Sequence, residues 1–212
     1  GVLSQRSAVQ AIDWNTIGLL TGMMIIVAVM QRSGVFQYLA IWSAKKVNAK
    51  PWGILVMLSI VTAILSALLD NVTTVLLIAP VTLLITEELE IAPYPFLFSE
   101  IIFSNIGGAA TLIGDPPNIL IGSMVESITF NDFLVHIAPI VPLVFIVTLL
   151  PIYILWGRKL YASDEARQRV LDFRESEAIT DSKLLIKSLI VLALVLVGFV
   201  LGHPMGIEPA TV

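Results

Sequence analysis

No cysteine occurs in the 212 residues, which excludes a disulfide framework and any thiolate metal site. Charge is scarce as well. Asp, Glu, Lys and Arg make up 13% of the chain, against roughly 25% in an ordinary soluble domain. Nor is there a basic excess: the net charge is -4, so no nucleic-acid partner is expected. The two histidines, His136 and His203, stand apart from each other and are read as incidental. So little polar surface cannot clothe a water-soluble globule. What is present is apolar: 57% of residues are hydrophobic and the mean hydropathy is +0.93. A lipid bilayer is the solvent, and the first partner, that suits such a chain.

Five apolar runs stand out, at residues 14–31, 51–86, 96–125, 133–156 and 184–202. Each reaches or exceeds the ~20 residues that a membrane span needs. The expected fold class is therefore an all-α polytopic membrane protein. The second run has Asp70 as its one charge. As a single helix it would rise roughly 54 Å at 1.5 Å per residue, yet the hydrocarbon core is about 30 Å thick. It must fold back, and the Asx pair at Asp70-Asn71 can cap a new helix. Residues 52–69 and 72–86 are read as a helix-turn-helix hairpin with a polar tip. Its length leaves open whether it crosses fully or re-enters.

The third run is interrupted by Gly107-Gly108 and by Gly114-Asp115-Pro116-Pro117. No regular helix is expected through either place, so this is a discontinuous membrane helix. Unwound backbone at that depth is tolerated where it is buried in protein or lines a polar cavity. The hairpin tip needs the same cavity.

Topology follows from the cations. Arg32, Lys45, Lys46 and Lys50 lie in one stretch, and seven more Lys and Arg lie between residues 157 and 187. The positive-inside rule places loops 32–50 and 157–183 in the cytoplasm. The loop holding Glu126 and Asp132, without Lys or Arg, suits the outer side. Residues 34–47 are read as an interfacial helix, with Tyr38 and Trp42 at headgroup level. Residues 157–183 form a polar, solvated arm.

Two constellations carry chemistry. A carboxylate inside a membrane costs a few kcal/mol or more and is a functional hypothesis by default. Asp70 is such a group, and it can also serve as a helix cap. Asn71, Thr73 and Thr74 add side-chain oxygens beside it. Hard cations take oxygen ligands, and carbonyls at helix breaks supply more. The second constellation holds Ser104, Asn105, Gly107, Gly108, Thr111, Gly114, Asp115 and Asn118. Small residues let backbone approach closely, and Asp115 is a second acid at membrane depth. Asp70, Asn71, Asn105 and Asp115 are accordingly a candidate Na⁺ site. Glu100, one turn earlier, is either a proton-linked group or an interfacial acid facing water. Met23 and Met24 are read as packing residues.

The stretches SALLDNVTTVLLIAPVTLLI (66–85) and SNIGGAATLIGDPPNILIG (104–122), preceded by IDWNTIGLLTGMMIIVAVM (12–30), resemble the ion transporter superfamily. The resemblance covers essentially the whole chain and points to permeases of the arsenite-pump, NhaD antiporter and P-protein type. It implies two inverted repeats, each with a hairpin and a discontinuous helix, beside a scaffold that often dimerises. Residues 1–212 would be the first repeat, incomplete at its start, with 184–212 leading into the second. Gly1 in place of an initiator Met and the apolar stretch just before Val212 fit an excerpt from a longer protein. In related dicarboxylate carriers the hairpin tip carries Ser-Asn-Thr, which aligns with Asp70-Asn71-Val72-Thr73. The Gly114-Asp115 pair likewise replaces a Gly-Thr. Both changes add negative charge, which favours a cation or proton over a dianion.

The expectation is a secondary active transporter coupled to Na⁺ or H⁺ in a prokaryotic plasma membrane, with no enzymatic activity and no cofactor. Its substrate would be a small inorganic ion, of the Na⁺/H⁺ or arsenite type. A Na⁺-coupled citrate or dicarboxylate symporter is the alternative. A passive channel and an intramembrane aspartyl protease are remote ones. The protease needs Gly-x-Gly-Asp, and Leu112-Ile113-Gly114-Asp115 lacks its first glycine.

Overall fold

The computed structural model describes Ser4, Val9, residues 12–125 and residues 127–202. Glu126, His203 and the stretch 203–212, expected to lead into a second repeat, lie outside the described residues. The described residues form helices α1 (Trp14–Gln31), α2 (Val35–Lys46), α3 (Pro51–Leu68), α4 (Asn71–Glu88), α5 (Tyr94–Gly108) and α6 (Pro116–Met124). Then come α7 (Phe130–Asp132), α8 (Val141–Ile152), α9 (Asp164–Leu171) and α10 (Ser182–Gly202). Single π turns extend α7 over Phe133–Ile137 and α8 over Tyr153–Gly157.

Four of these, α1, α3, α4 and α10, are long and apolar enough to cross a membrane. The segments Phe130–Ile137 and Val141–Gly157 make a fifth candidate, bent by 54° at the break. Proline accounts for the bend: Pro139 sits in the break and Pro142 at the start of α8, where missing N–H groups cost least. Pro151 lies inside α8, and the π turn that follows takes up the displaced hydrogen bonds. The chain is thus an all-helical polytopic membrane protein. Its exposed large side chains, such as Ile146, Leu150, Ile154 and Leu194, give α8 and α10 an apolar exterior suited to lipid.

The break in the second run is shorter than expected. α3 ends at Leu68 and α4 starts at Asn71, so Asn71 is the first helical residue rather than part of a turn. Asp70 makes this possible. Its backbone is extended, and its Oδ1 accepts the Thr73 N–H at 2.7 Å as an N-cap. The third run differs too: Gly107 and Gly108 remain helical, and unwinding begins at Ala109. These glycines are there for closeness. A Cβ on Gly107 would lie 2.1 Å from the Ala63 carbonyl oxygen, and one on Gly108 2.5 Å from that of Gly114. The opposing face of α3 is a stripe of small residues, Ser59, Ala63 and Ser66, all buried. Small-on-small packing lets the backbones of α3 and α5 meet.

The polar stretch 157–183 folds back on the helix ends. Lys45 Nζ reaches Glu175 Oε2 at 2.6 Å and the Phe173 carbonyl at 3.0 Å. Thr180 donates to the carbonyls of Arg32 and Ser33, and Arg167 to that of Asn48. Arg169 holds Glu88 and Glu90. The two basic stretches therefore share one face. Gly34, at φ +81°, starts α2 beneath Ala178, whose carbonyl a Cβ would overlap at 1.7 Å. Phe36, Ala40, Ser43 and Ala44 bury one side of α2.

Candidate functional site

Two helix starts meet beside the break in the third run. Asp70 precedes α4 and Asp115 precedes α6, both with extended backbone. Their carboxylates are used differently. Asp70 spends an oxygen on its own helix, while Asp115 makes no cap bond and turns outward from α6. Asn71 joins the pieces: its Nδ2 donates to Asn105 Oδ1 at 3.0 Å and to Asp115 Oδ1 at 3.1 Å. Its own Oδ1 accepts from the Val72 N–H at 2.8 Å. Asn105 is held by a bond from its Nδ2 to the Ile101 carbonyl. Asp70 and Asp115 are near enough for their charges to interact. Partial positive charge at the two helix starts partly offsets that repulsion.

Residues beneath this cluster fix the unwound segment. Thr111 Oγ1 donates to the Ala67 carbonyl at 2.6 Å and accepts from the Gly114 N–H at 3.0 Å. Asn118 Nδ2 reaches back to the carbonyls of Thr111, at 3.0 Å, and Gly108, at 3.4 Å. Ser66 Oγ donates to the Ser104 carbonyl at 2.6 Å. Gly114 backs onto Gly108 and Ser66, with no room for a Cβ. The Gly114 N–H and the carbonyls of Gly108 and Thr111 thereby gain partners at the break, as burial favours.

Of the predicted site residues, Asn71, Asn105 and Asp115 are in direct contact, with Asp70 adjacent. Thr111, Gly114, Asn118, Gly107 and Gly108 shape the break. Ser104 turns its hydroxyl to the Ile101 carbonyl of its own helix, and it is the backbone carbonyl of Ser104 that meets α3. Thr73 faces away, lining a groove of about 350 Å³ with Met24, Val27 and Leu77 between α1 and α4. Thr74 is buried, and its hydroxyl has no partner among the described residues. Sequence reading missed Ser66 and Ala67, which clamp the break from α3; the signal was the small-residue spacing at 59, 63 and 66. It also left Glu100 open, and the structure buries it at 1% exposure. The alternative that it faces water is thus overturned. Met23 packs in the core, whereas Met24 is exposed. His136 lies on the surface, beside the Asp132 carbonyl.

Among the described residues no three His, Cys, Asp or Glu side chains gather. The side-chain oxygens at the cluster come from two carboxylates and two amides, those of Asp70, Asp115, Asn71 and Asn105. The description "citrate transporter" attaches to the family that matches residues 1–212. The chain belongs to the citrate transporter family. Relatives bear out the superfamily read from the two motifs. An uncharacterized transporter of Mycobacterium tuberculosis is 51% identical over 95% of this chain, and the 46 kDa membrane protein of Mycobacterium leprae 54% over 91%. The human P protein is 44% identical over 74% of the chain. The chain spans 46% of the length of the first, 44% of the second and 20% of the third.

Proposed function

We propose that this chain is half of a secondary active transporter and that Asp70, Asn71, Asn105 and Asp115 bind its coupling cation, Na⁺ or H⁺. The observation that carries the reading is the Asn71 amide held between two acceptors on a separate segment. Two oxygens converge on one donor at hydrogen-bond distance. A Na⁺ ion entering there would displace the amide group and take the same oxygens, with Asn71 Oδ1 turning in as a further ligand. The helix starts behind Asp70 and Asp115 belong to interrupted segments of the kind that place ion sites at the membrane centre. Family membership supports transport as the activity. The net acidity of the cluster favours a small inorganic ion of the Na⁺/H⁺ or arsenite type as cargo.

The family description favours a second reading, a cation-coupled citrate or dicarboxylate symporter. The N-terminal dipole of α4 would then face the carboxylate and the coupling cation would screen the two acids. Under either reading, α3–α4 is the hairpin and α5–α6 the discontinuous helix of a first inverted repeat. The second repeat is supplied by the rest of the protein, and the whole forms a dimer. Shared placement of the basic stretches on one face supports a common cytoplasmic side for 32–50 and 157–183. Transport by the full-length protein in vesicles tests the site. Asp70→Asn and Asp115→Asn are each expected to abolish ion-driven flux; wild-type flux in both sinks the assignment. Counterflow with Na⁺, arsenite and citrate separates the two cargo readings.

A further inference from the structure

Glu100 lies outside the cluster at the helix breaks, five residues before Asn105 on α5, or roughly 7.5 Å along the helix axis. It is 1% exposed and lies among the largest fully buried side chains of the protein, near Phe96 and Phe103 on the same helix. Thr82 of α4, itself fully buried, donates its hydroxyl to Glu100 Oε1 at 2.5 Å. The other oxygen, Oε2, has no partner among the described residues. No described lysine or arginine pairs with it; the ion pairs among these residues all lie on the basic face.

The described surroundings supply no counter-charge. α5 packs against α3, α4 and α8. Neither α3 nor α8 carries a titratable side chain. On α4 the titratable groups are Glu87, which is exposed, and Glu88, which is paired with Arg169; Asp70 caps the opposite end. α5 itself adds Tyr94, and the π turn after α8 adds Tyr153, which packs on Trp52. Two further buried hydroxyls without partners, Ser59 and Thr62, lie on α3. An ionised carboxylate left unpaired in such a place is very costly, and the group takes up a proton instead.

We infer that the carboxyl group of Glu100, clasped by Thr82 between α4 and α5, is a proton-carrying site separate from the cluster at the helix breaks. Thr82 occupies Oε1, and the proton resides on Oε2. The balance is simple: one proton from water binds one carboxylate, with no other bond made or broken. With Glu100 only 1% exposed, exchange of this proton with water requires a conformation that opens the packing around α5.

Infrared spectroscopy of the purified full-length protein tests this without any transport. One protonated-carboxyl band is expected to disappear in Glu100→Gln and to shift in Glu100→Asp. Thr82→Val, which removes the single hydrogen bond, is expected to move the band. In vesicles, Glu100→Gln should lose the pH dependence of flux while Glu100→Asp keeps a displaced one. An unchanged band in Glu100→Gln overturns the proposal. Where that variant does not fold, an unchanged band and pH profile in both Glu100→Asp and Thr82→Val do so. A band governed by Na⁺ at fixed pH also overturns it, in favour of a cation site. Failure of the Asp70 and Asp115 variants to affect flux would leave this band untouched, so the two readings fail separately.

Discussion

Asn71 joins the two interrupted segments at the cluster, while Ser66, Thr111 and Thr82 join them elsewhere. Replacing it with alanine leaves Asn105 Oδ1 and Asp115 Oδ1 without their shared donor. Loss of buried hydrogen bonds of this kind costs about 1–3 kcal/mol, and thermal unfolding of the full-length protein in detergent should show it. Gly107 offers a sharper steric test. Its would-be Cβ lies 2.1 Å from a backbone atom, which cannot swing aside. Gly107→Ala should destabilise by roughly the 1–3 kcal/mol of an overpacked core. Gly22 on α1 has nothing within 4 Å of the same position, so Gly22→Ala should show no loss in the same melt. Equal effects of the two substitutions would contradict the close approach of α3 and α5.

At the scale of elements, the arm between α8 and α10 is fastened by named contacts. The hydrogen bond from Lys45 holds the Glu175 carboxyl below the usual range. A carboxylate whose value is lowered on folding stabilises fully above its ordinary value, here 4.5, and loses that contribution as pH falls through the lowered one. Hydrogen-exchange protection across residues 160–183, taken against the intrinsic rate at each pH, should therefore be present at neutral pH and fall in acid below that range. Lys45→Ala should make exchange there fast already at neutral pH. Exchange unchanged by the substitution would mean that Thr180, Arg167 and Arg169 hold the arm without it. The pairing is partly exposed and salt-screened, so high salt should act in the same direction.

Across the whole molecule, the two basic stretches meet on one face, while Ser127 lies in the loop between α6 and α7. The absence of cysteine makes labelling direct over these residues. Single cysteines at Glu177 and Ser127 in the full-length protein should react with an impermeant thiol reagent from opposite sides of the membrane. Reaction from the same side would break the proposed topology. The apolar exterior of α8 and α10 has no covering partner among the described residues, as expected of surface that faces lipid or further protein; the chain spans 46% of the length of its Mycobacterium tuberculosis relative.

Much of this protein is legible in its amino-acid sequence alone. Composition requires a bilayer, because 13% charge cannot cover a globule. Helix rise against membrane thickness forces a fold-back near Asp70, and the Asx pair marks its place to within two residues. Proline and glycine locate the second break, although Gly107 and Gly108 prove to be packing residues: intrinsic helix propensity yields to a tight backbone contact that only glycine permits. Tertiary structure decides the rest. That Asn71, rather than Thr73 or Ser104, bridges the two segments depends on which way each side chain leaves its helix. That Glu100 is sealed beside Thr82 depends on the relative placement of α4 and α5. Sequence spacing sets neighbours along one helix, but a contact between helices is set by how their faces pack.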